Sequence, residues 1–152
     1  MARAAAAGRL RRNFQGYTTD DAPMLLGLGA SSISAVPQGY AQNIPDERAY
    51  VAAVEAGRLP VARGLALTEE DRVRREAIER LMCDLTLDLD TLPAQVLQSA
   101  LPGLHALEAD GLVRLSGGWL TIPEEARAFM RHAAACFDAY LAMGKARHSA
   151  AV

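Results

Sequence analysis

The chain has 152 residues, 51% of them hydrophobic but only 5% aromatic, and a formal net charge of −2. That is enough for one domain, or one domain with an appendage, around a core of Leu, Val, Ala and Met. The balanced charge implies neither a polyanionic partner nor an acidic tail, and no apolar run approaches the ~18 residues of a membrane span.

The first 12 residues are rich in Ala and Arg and lack the continuous apolar stretch of a secretory signal. An organelle-targeting reading is open, but a helix ending near Gly8 is simpler. Residues 9–19 have no helical period, as expected of a segment crossing a surface or a site. Asp20-Asp21-Ala22-Pro23 is a turn signal. Residues 24–36 are apolar, with Gly27, Gly29 and four small residues, and fit a buried strand approached closely by other backbone. Pro37-Gln38-Gly39 ends that strand. Pro45 opens a helix through about Ala56, with Gly57 as its stop. Residues 59–67 fit a short strand or an extended arm.

Thr68 is an N-cap, followed by Glu69, Glu70 and Asp71 in a first turn that favours negative charge. The helix it starts carries Val73, Ala77, Ile78, Leu81, Met82 and Leu85 on one face, near a 3.6 period. Residues 86–92 read as a connector. A second helix turns Val96, Leu97, Ala100, Leu101, Leu104 and Leu107 inward, with Pro102 predicting a break or a new first turn and Gly111 ending it. Residues 112–122 read as a hairpin about Ser116-Gly117-Gly118. Thr121 and Glu124 have capping-box spacing, with Pro123 just inside the next helix. That helix places Ala126, Phe129, Met130, Ala133, Phe137, Tyr140 and Leu141 on one face, and a frayed tail runs from Gly144. Helix, helix, hairpin and helix within about 75 residues resemble a winged-helix arrangement.

Cys83 and Cys136 lie far apart, each inside an amphipathic pattern. Buried thiols in a reducing compartment fit that placement, with a disulfide as the alternative. His105, His132 and His148 lack metal-ligand spacing. A Cys–His nucleophile needs a spatial meeting that sequence neither shows nor excludes. Arg72, Arg74, Arg75 and Arg80 could bind carboxylates bidentately. However, Glu70–Arg74, Asp71–Arg75 and Glu76–Arg80 are i,i+4 pairs, which favours a solvated helix face. Arg9, Arg11 and Arg12 are the better anion-binding candidates. The glycine pair Gly27 and Gly29 is too loose for a phosphate loop. A winged helix that binds nucleic acid needs a basic recognition helix and wing. Residues 92–110 hold no Lys or Arg and the wing holds only Arg114, so nucleic-acid binding is not expected.

Four stretches carry a resemblance to a known family: residues 12–19 (Arg-Asn-Phe-Gln-Gly-Tyr-Thr-Thr), residues 25–34 (Leu-Leu-Gly-Leu-Gly-Ala-Ser-Ser-Ile-Ser), residues 40–43 (Tyr-Ala-Gln-Asn) and residues 137–141 (Phe-Asp-Ala-Tyr-Leu). Arg63-Gly64, Leu67-Thr68 and the Arg-rich helix lie between them in the expected order. The first two, at their close spacing, are the specific ones. Together they resemble the C-terminal part of the oxygen-independent coproporphyrinogen III oxidases, radical-SAM enzymes of haem biosynthesis. The resemblance implies a TIM-like barrel that binds S-adenosylmethionine, and a 4Fe-4S cluster held by C-x-x-x-C-x-x-C. It also implies a reaction in which a 5′-deoxyadenosyl radical abstracts hydrogen from a propionate and carbon dioxide leaves. Coproporphyrinogen III becomes protoporphyrinogen IX with two vinyl groups.

The cluster motif is absent, and two cysteines cannot supply three thiolate ligands. The expectation is therefore a chain that begins where the barrel is finishing, either a fragment or a truncated relative, inactive alone. Two family roles transfer by position: Gln15 to a residue lining the active-site cavity, and Ile33 to a residue contacting S-adenosylmethionine. Otherwise Gln15 caps a turn and Ile33 is core. No catalytic residue and no metal ligand is assigned in this chain. The fold expected is mainly α (α+β), with residues 1–44 ending a radical-SAM barrel, 45–67 a linking helix and arm, and 68–152 a helical, winged-helix-like C-terminal domain. The expected partners are coproporphyrinogen III and the missing N-terminal barrel, in the cytoplasm, with no nucleic acid and no membrane. The alternative is a non-catalytic relative that binds a tetrapyrrole or a protein.

Overall fold

The computed structural model describes residues 1–141. In chain order its helices are α1 (Ala2–Ala6), α2 (Glu47–Glu55), α3 (Glu69–Asp84), α4 (Ala94–Ala109) and α5 (Met130–Ala135). The strands are β1 (Arg11–Asn13), β2 (Gly16–Thr18), β3 (Ile33–Val36), β4 (Gly39–Asn43), β5 (Val61–Ala66), β6 (Thr86–Asp88), β7 (Arg114–Ser116) and β8 (Trp119–Thr121). Short 3-10 helices follow β6 (Leu89–Thr91) and β8 (Glu124–Phe129). The class is α+β. Two compact units form: residues 20–69, and residues 1–19 together with the chain from 70 onward. Among the described residues no helix is long and apolar enough to cross a membrane.

The larger unit has the principal core. Ala77 and Leu81 of α3 meet Val96, Ala100 and Leu104 of α4, with Leu120, Ile122, Ala133 and Phe137 completing the cluster. Burying each large side chain contributes about 1.5–3 kcal/mol. The 3.6 period therefore picked the inward faces of α3 and α4 correctly. Antiparallel strands in the order β6-β8-β7 line this core. Residues 86–92, expected as a connector, instead supply β6, with Leu87 and Leu89 buried.

Three expectations fail here. Pro102 does not break α4, which runs through it. The carbonyl four residues back belongs to Gln98, and both residues are exposed, so water can satisfy the oxygen that loses its N–H partner. Thr121 forms no capping box. It is a strand residue of β8 paired with Thr86 and Arg114, and the following 3-10 helix starts at Glu124, with Pro123 at the N-cap and no side-chain cap bond. The last helix is also shorter than its apolar pattern. Ala126, Ala133 and Phe137 are buried, but Phe129, Tyr140 and Leu141 are exposed: Phe129 ends the 3-10 helix, and Tyr140 and Leu141 lie beyond α5, which stops at Ala135. The frayed tail expected from Gly144 lies outside the described residues.

The smaller unit is an antiparallel sheet in the order β3-β4-β5, with α2 in the connection from β4 to β5. Asp46 caps α2, its Oδ1 accepting from the Ala49 amide at 2.8 Å. Gly39 faces Leu65 so closely that any Cβ would strike the Leu65 carbonyl. The expected buried strand over residues 24–36 is corrected. Only Ile33–Val36 is strand, and it is half-buried, while Leu26 and Leu28 are 69% and 87% exposed. Gly29 (φ 102°) and Ser31 (φ 60°) occupy the left-handed region, which no strand can pass through.

Candidate functional site

Gln15 lies at the tip of the hairpin formed by β1 and β2, in the two-residue loop between Asn13 and Gly16. Asn13 closes the turn by accepting the Gln15 amide on Oδ1 at 2.9 Å, the local bond that makes Asn a turn residue. The cap is thus Asn13, and the Gln15 side chain is exposed. The hairpin is anchored on α3. The Tyr17 hydroxyl donates to the Met82 carbonyl at 3.0 Å, and the Arg12 amide donates to Glu79 Oε1 at 3.3 Å. Residues 9–19 therefore form a docked hairpin that offers one amide side chain, with two donors and an acceptor, to a ligand.

Ile33 opens β3 and is half-buried rather than core. The preceding segment runs along its edge. Leu25 pairs with Ala35, the Gly27 amide donates to Ser34 Oγ at 3.0 Å, and a Cβ on Gly27 would sit 2.8 Å from the Ile33 carbonyl oxygen. Two residues hold this glycine loop in place. Asn43, buried at the end of β4, donates from Nδ2 to the Gly27 and Gly29 carbonyls at 3.1 and 2.9 Å. The Tyr50 hydroxyl of α2 accepts the Gly29 amide at 3.1 Å. Sequence reading gave neither residue a role. Asn43 closes a noticed motif, and a polar residue ending an otherwise half-apolar strand was the available signal.

In register, Ile33 pairs with Gln42, and Gln42 with Arg63. Paired residues point to one face of a sheet. The next row on that face is Ala35, Tyr40 and Leu65. Arg63 Nε donates to Gln42 Oε1 at 2.7 Å, and Gln42 Nε2 donates to the Ser31 carbonyl at 3.1 Å. The face combines apolar surface with a fixed cation, which suits a ligand having a ring and a carboxylate.

The arginines of α3 divide differently from the sequence pattern. Arg74 is not on a solvated face. It is buried, ion-paired to Glu70 at 2.8 Å and bonded to Ser99 Oγ and the Phe137 carbonyl. Arg80 pairs with Asp84 at 2.7 Å rather than with Glu76. Both cysteines are free thiols. Burial pushes each thiol above its ordinary range, and Glu79 and Asp84 push Cys83 further. The Cys136 thiol meets the His132 backbone carbonyl at 3.4 Å, not its ring. His105 is exposed, and His148 lies outside the described residues. Among the described residues no group of three His, Cys, Asp or Glu could hold a metal. The donor set of this chain does not fit a 4Fe-4S cluster.

Residues 67–129 match the family described as the HemN C-terminal domain. The chain is 47% identical over 94% of its length to an oxygen-independent coproporphyrinogen III oxidase of Bradyrhizobium diazoefficiens, and 37% identical over 93% to one of Synechocystis. The chain carries a HemN C-terminal domain and is similar to the corresponding third of the oxygen-independent coproporphyrinogen III oxidases. A solved structure of the coproporphyrinogen III oxidase HemN from Escherichia coli, a radical SAM enzyme, superposes with a TM-score of 0.85 at 37% identity, over 92% of this chain and 34% of that one. The chain spans about a third of the length of the curated oxidases that it matches.

Proposed function

We propose that this chain acts as the C-terminal part of an oxygen-independent coproporphyrinogen III oxidase, in the oxidative decarboxylation of coproporphyrinogen III to protoporphyrinogen IX. The observation that carries this is the coincidence of sequence and shape: 47% identity over 94% of the chain, and a TM-score of 0.85 to a family structure. Residues 1–44 serve as the terminal segment of a radical-SAM barrel, 45–67 as a linking helix and arm, and 68–152 as a winged-helix-like C-terminal domain. The remainder of the barrel is the partner, and it supplies the thiolates for the cluster. The setting is cytoplasmic, and neither nucleic acid nor membrane is a partner.

S-adenosylmethionine, when bound, supplies the radical chemistry. The residues of this chain bind and orient. Ile33 offers half-buried apolar surface beside a loop locked by Asn43 and Tyr50, so a ligand meets a rigid wall and little entropy is lost on contact. Gln15 projects its amide from a hairpin fixed on α3 and lines the cavity.

The test replaces the matching third of the Bradyrhizobium oxidase with this chain. The chimera should bind its cluster and convert coproporphyrinogen III anaerobically. A folded chimera with a full cluster and no turnover would overturn the reading and favour a non-catalytic tetrapyrrole-binding relative.

A further inference from the structure

The strand β5 is exposed along its whole length, yet one of its side chains is held in place. Arg63 donates from Nε to Gln42, whose amide is itself fixed by the Ser31 carbonyl. An arginine kept only for solubility gains nothing from such a clamp, since an exposed long side chain loses rotamer entropy when it is fixed. The clamp uses Nε and leaves the Nη groups, the edge of the guanidinium that pairs with carboxylates in a fork. Ile33 stands two strands away on the same face, about 9.5 Å at the usual interstrand spacing. Ala35, Tyr40 and Leu65 form the apolar row alongside. A ligand lying across the strands from Ile33 would bring a carboxylate to Arg63.

We propose that Arg63 is a carboxylate-binding residue, oriented by Gln42 on the sheet face that carries Ile33. The proposal deepens the reading of Ile33 as a ligand contact and rests on it. Two ligands of the reaction bear the required group: S-adenosylmethionine through its amino-acid carboxylate, and coproporphyrinogen through a propionate. Arg63 discriminates by charge and geometry, so an ester or a neutral amide in that place would be bound weakly.

The experiment uses the chimera described above, with Arg63→Gln, Arg63→Lys and Ile33→Asp. S-adenosylmethionine binding is measured by anaerobic equilibrium dialysis, and the KM for coproporphyrinogen III by turnover. Losing a charge-assisted bond should weaken one ligand by about ten- to a hundred-fold. Arg63→Lys, which keeps the charge and loses the fork, should weaken the same ligand by a smaller factor. A raised Kd for S-adenosylmethionine with unchanged KM assigns the cofactor carboxylate, and the reverse assigns a propionate. Unchanged values for both ligands in either Arg63 variant, with a native circular dichroism spectrum, overturn the proposal. Ile33→Asp separates the two readings. If it leaves S-adenosylmethionine binding intact while Arg63→Gln does not, the contact at Ile33 fails and the anion site at Arg63 stands.

Discussion

The Asn43 side chain bridges backbone that strand pairing cannot reach: its Nδ2 donates to the Gly29 carbonyl at 2.9 Å, and to the Gly27 carbonyl two residues earlier at 3.1 Å. Both carbonyls belong to a loop whose backbone turns left-handed at Gly29 and Ser31. A loop of that shape makes few backbone bonds of its own, so a buried side chain has to supply them.

Asn43→Leu should therefore cost about 1–3 kcal/mol, because the Gly27 carbonyl loses its Asn43 donor while the Gly29 carbonyl keeps only the longer bond from the Ser32 amide at 3.4 Å. Asn43→Asp should also destabilise, because a carboxylate facing two carbonyls has no proton to give. Urea unfolding followed by circular dichroism tests both. A loss below about 0.5 kcal/mol for each would show that water replaces the bridge.

Phe137 is fully buried among Leu81, Leu104 and Leu120. Phe137→Ala should cost about 3–5 kcal/mol. The urea midpoint reports it directly, and a change under ~1 kcal/mol would mean that the site collapses without leaving a cavity.

Much of this was legible in the sequence. The helical period of α3 and α4 is carried by a single face with no competing constraint, so Ala77, Leu81, Val96, Ala100 and Leu104 could be placed at once. The hairpin of β7 and β8 was legible for a similar reason: Gly117 (φ 58°) and Gly118 (φ 80°) supply the turn conformation themselves. The segment from Met24 to Val36 misled because apolar content alone cannot reveal a backbone reversal. Gly27 does pack closely against the Ile33 backbone, as expected, but Gly29, with its positive φ, turns the chain out of the strand. Phe129 misled because it lies in a 3-10 helix, whose period differs from 3.6, and Tyr140 and Leu141 because α5 stops at Ala135, before it reaches them. At the site, Gln15 and Ile33 came from motif resemblance alone. Tyr50 and Arg63 act through cross-strand or long-range bonds, which no local pattern encodes, and Asn43 left only the weak signal of a polar residue ending its strand.

Arg74 and Glu70 should respond asymmetrically. Glu70 is 41% exposed at its side chain, whereas Arg74 is 9% exposed. Arg74→Met leaves a carboxylate that water can reach, and removes one donor from the Phe137 carbonyl, for roughly 2 kcal/mol. Glu70→Ala strands a buried guanidinium without its counter-charge and should cost more, about 3 kcal/mol or above. Equal losses in urea titrations of the two variants would mean that solvent screens Arg74 as well.

The last prediction concerns alkaline pH. The folded protein holds the Cys83 thiol above the ordinary value of about 8.5, chiefly by burial, with Glu79 and Asp84 adding repulsion against the thiolate. Cys136 is raised as well, again chiefly by burial. In the unfolded chain both thiols ionise near the ordinary value. A raised folded pKa therefore contributes stability that is fully present below the unfolded pKa. It is lost as pH rises from there through the folded pKa, because the unfolded state releases protons first. Stability should be flat in this respect at neutral pH and fall above about pH 8.5. Cys83→Ala should flatten that decline while costing some packing at neutral pH. Urea midpoints at pH 7 and at alkaline pH, for the parent and for Cys83→Ala, measure the difference. An identical alkaline decline in both proteins would assign the loss to other groups. Tyr140 is the first to examine, since its hydroxyl is held protonated by donation to Asp71 at 3.0 Å.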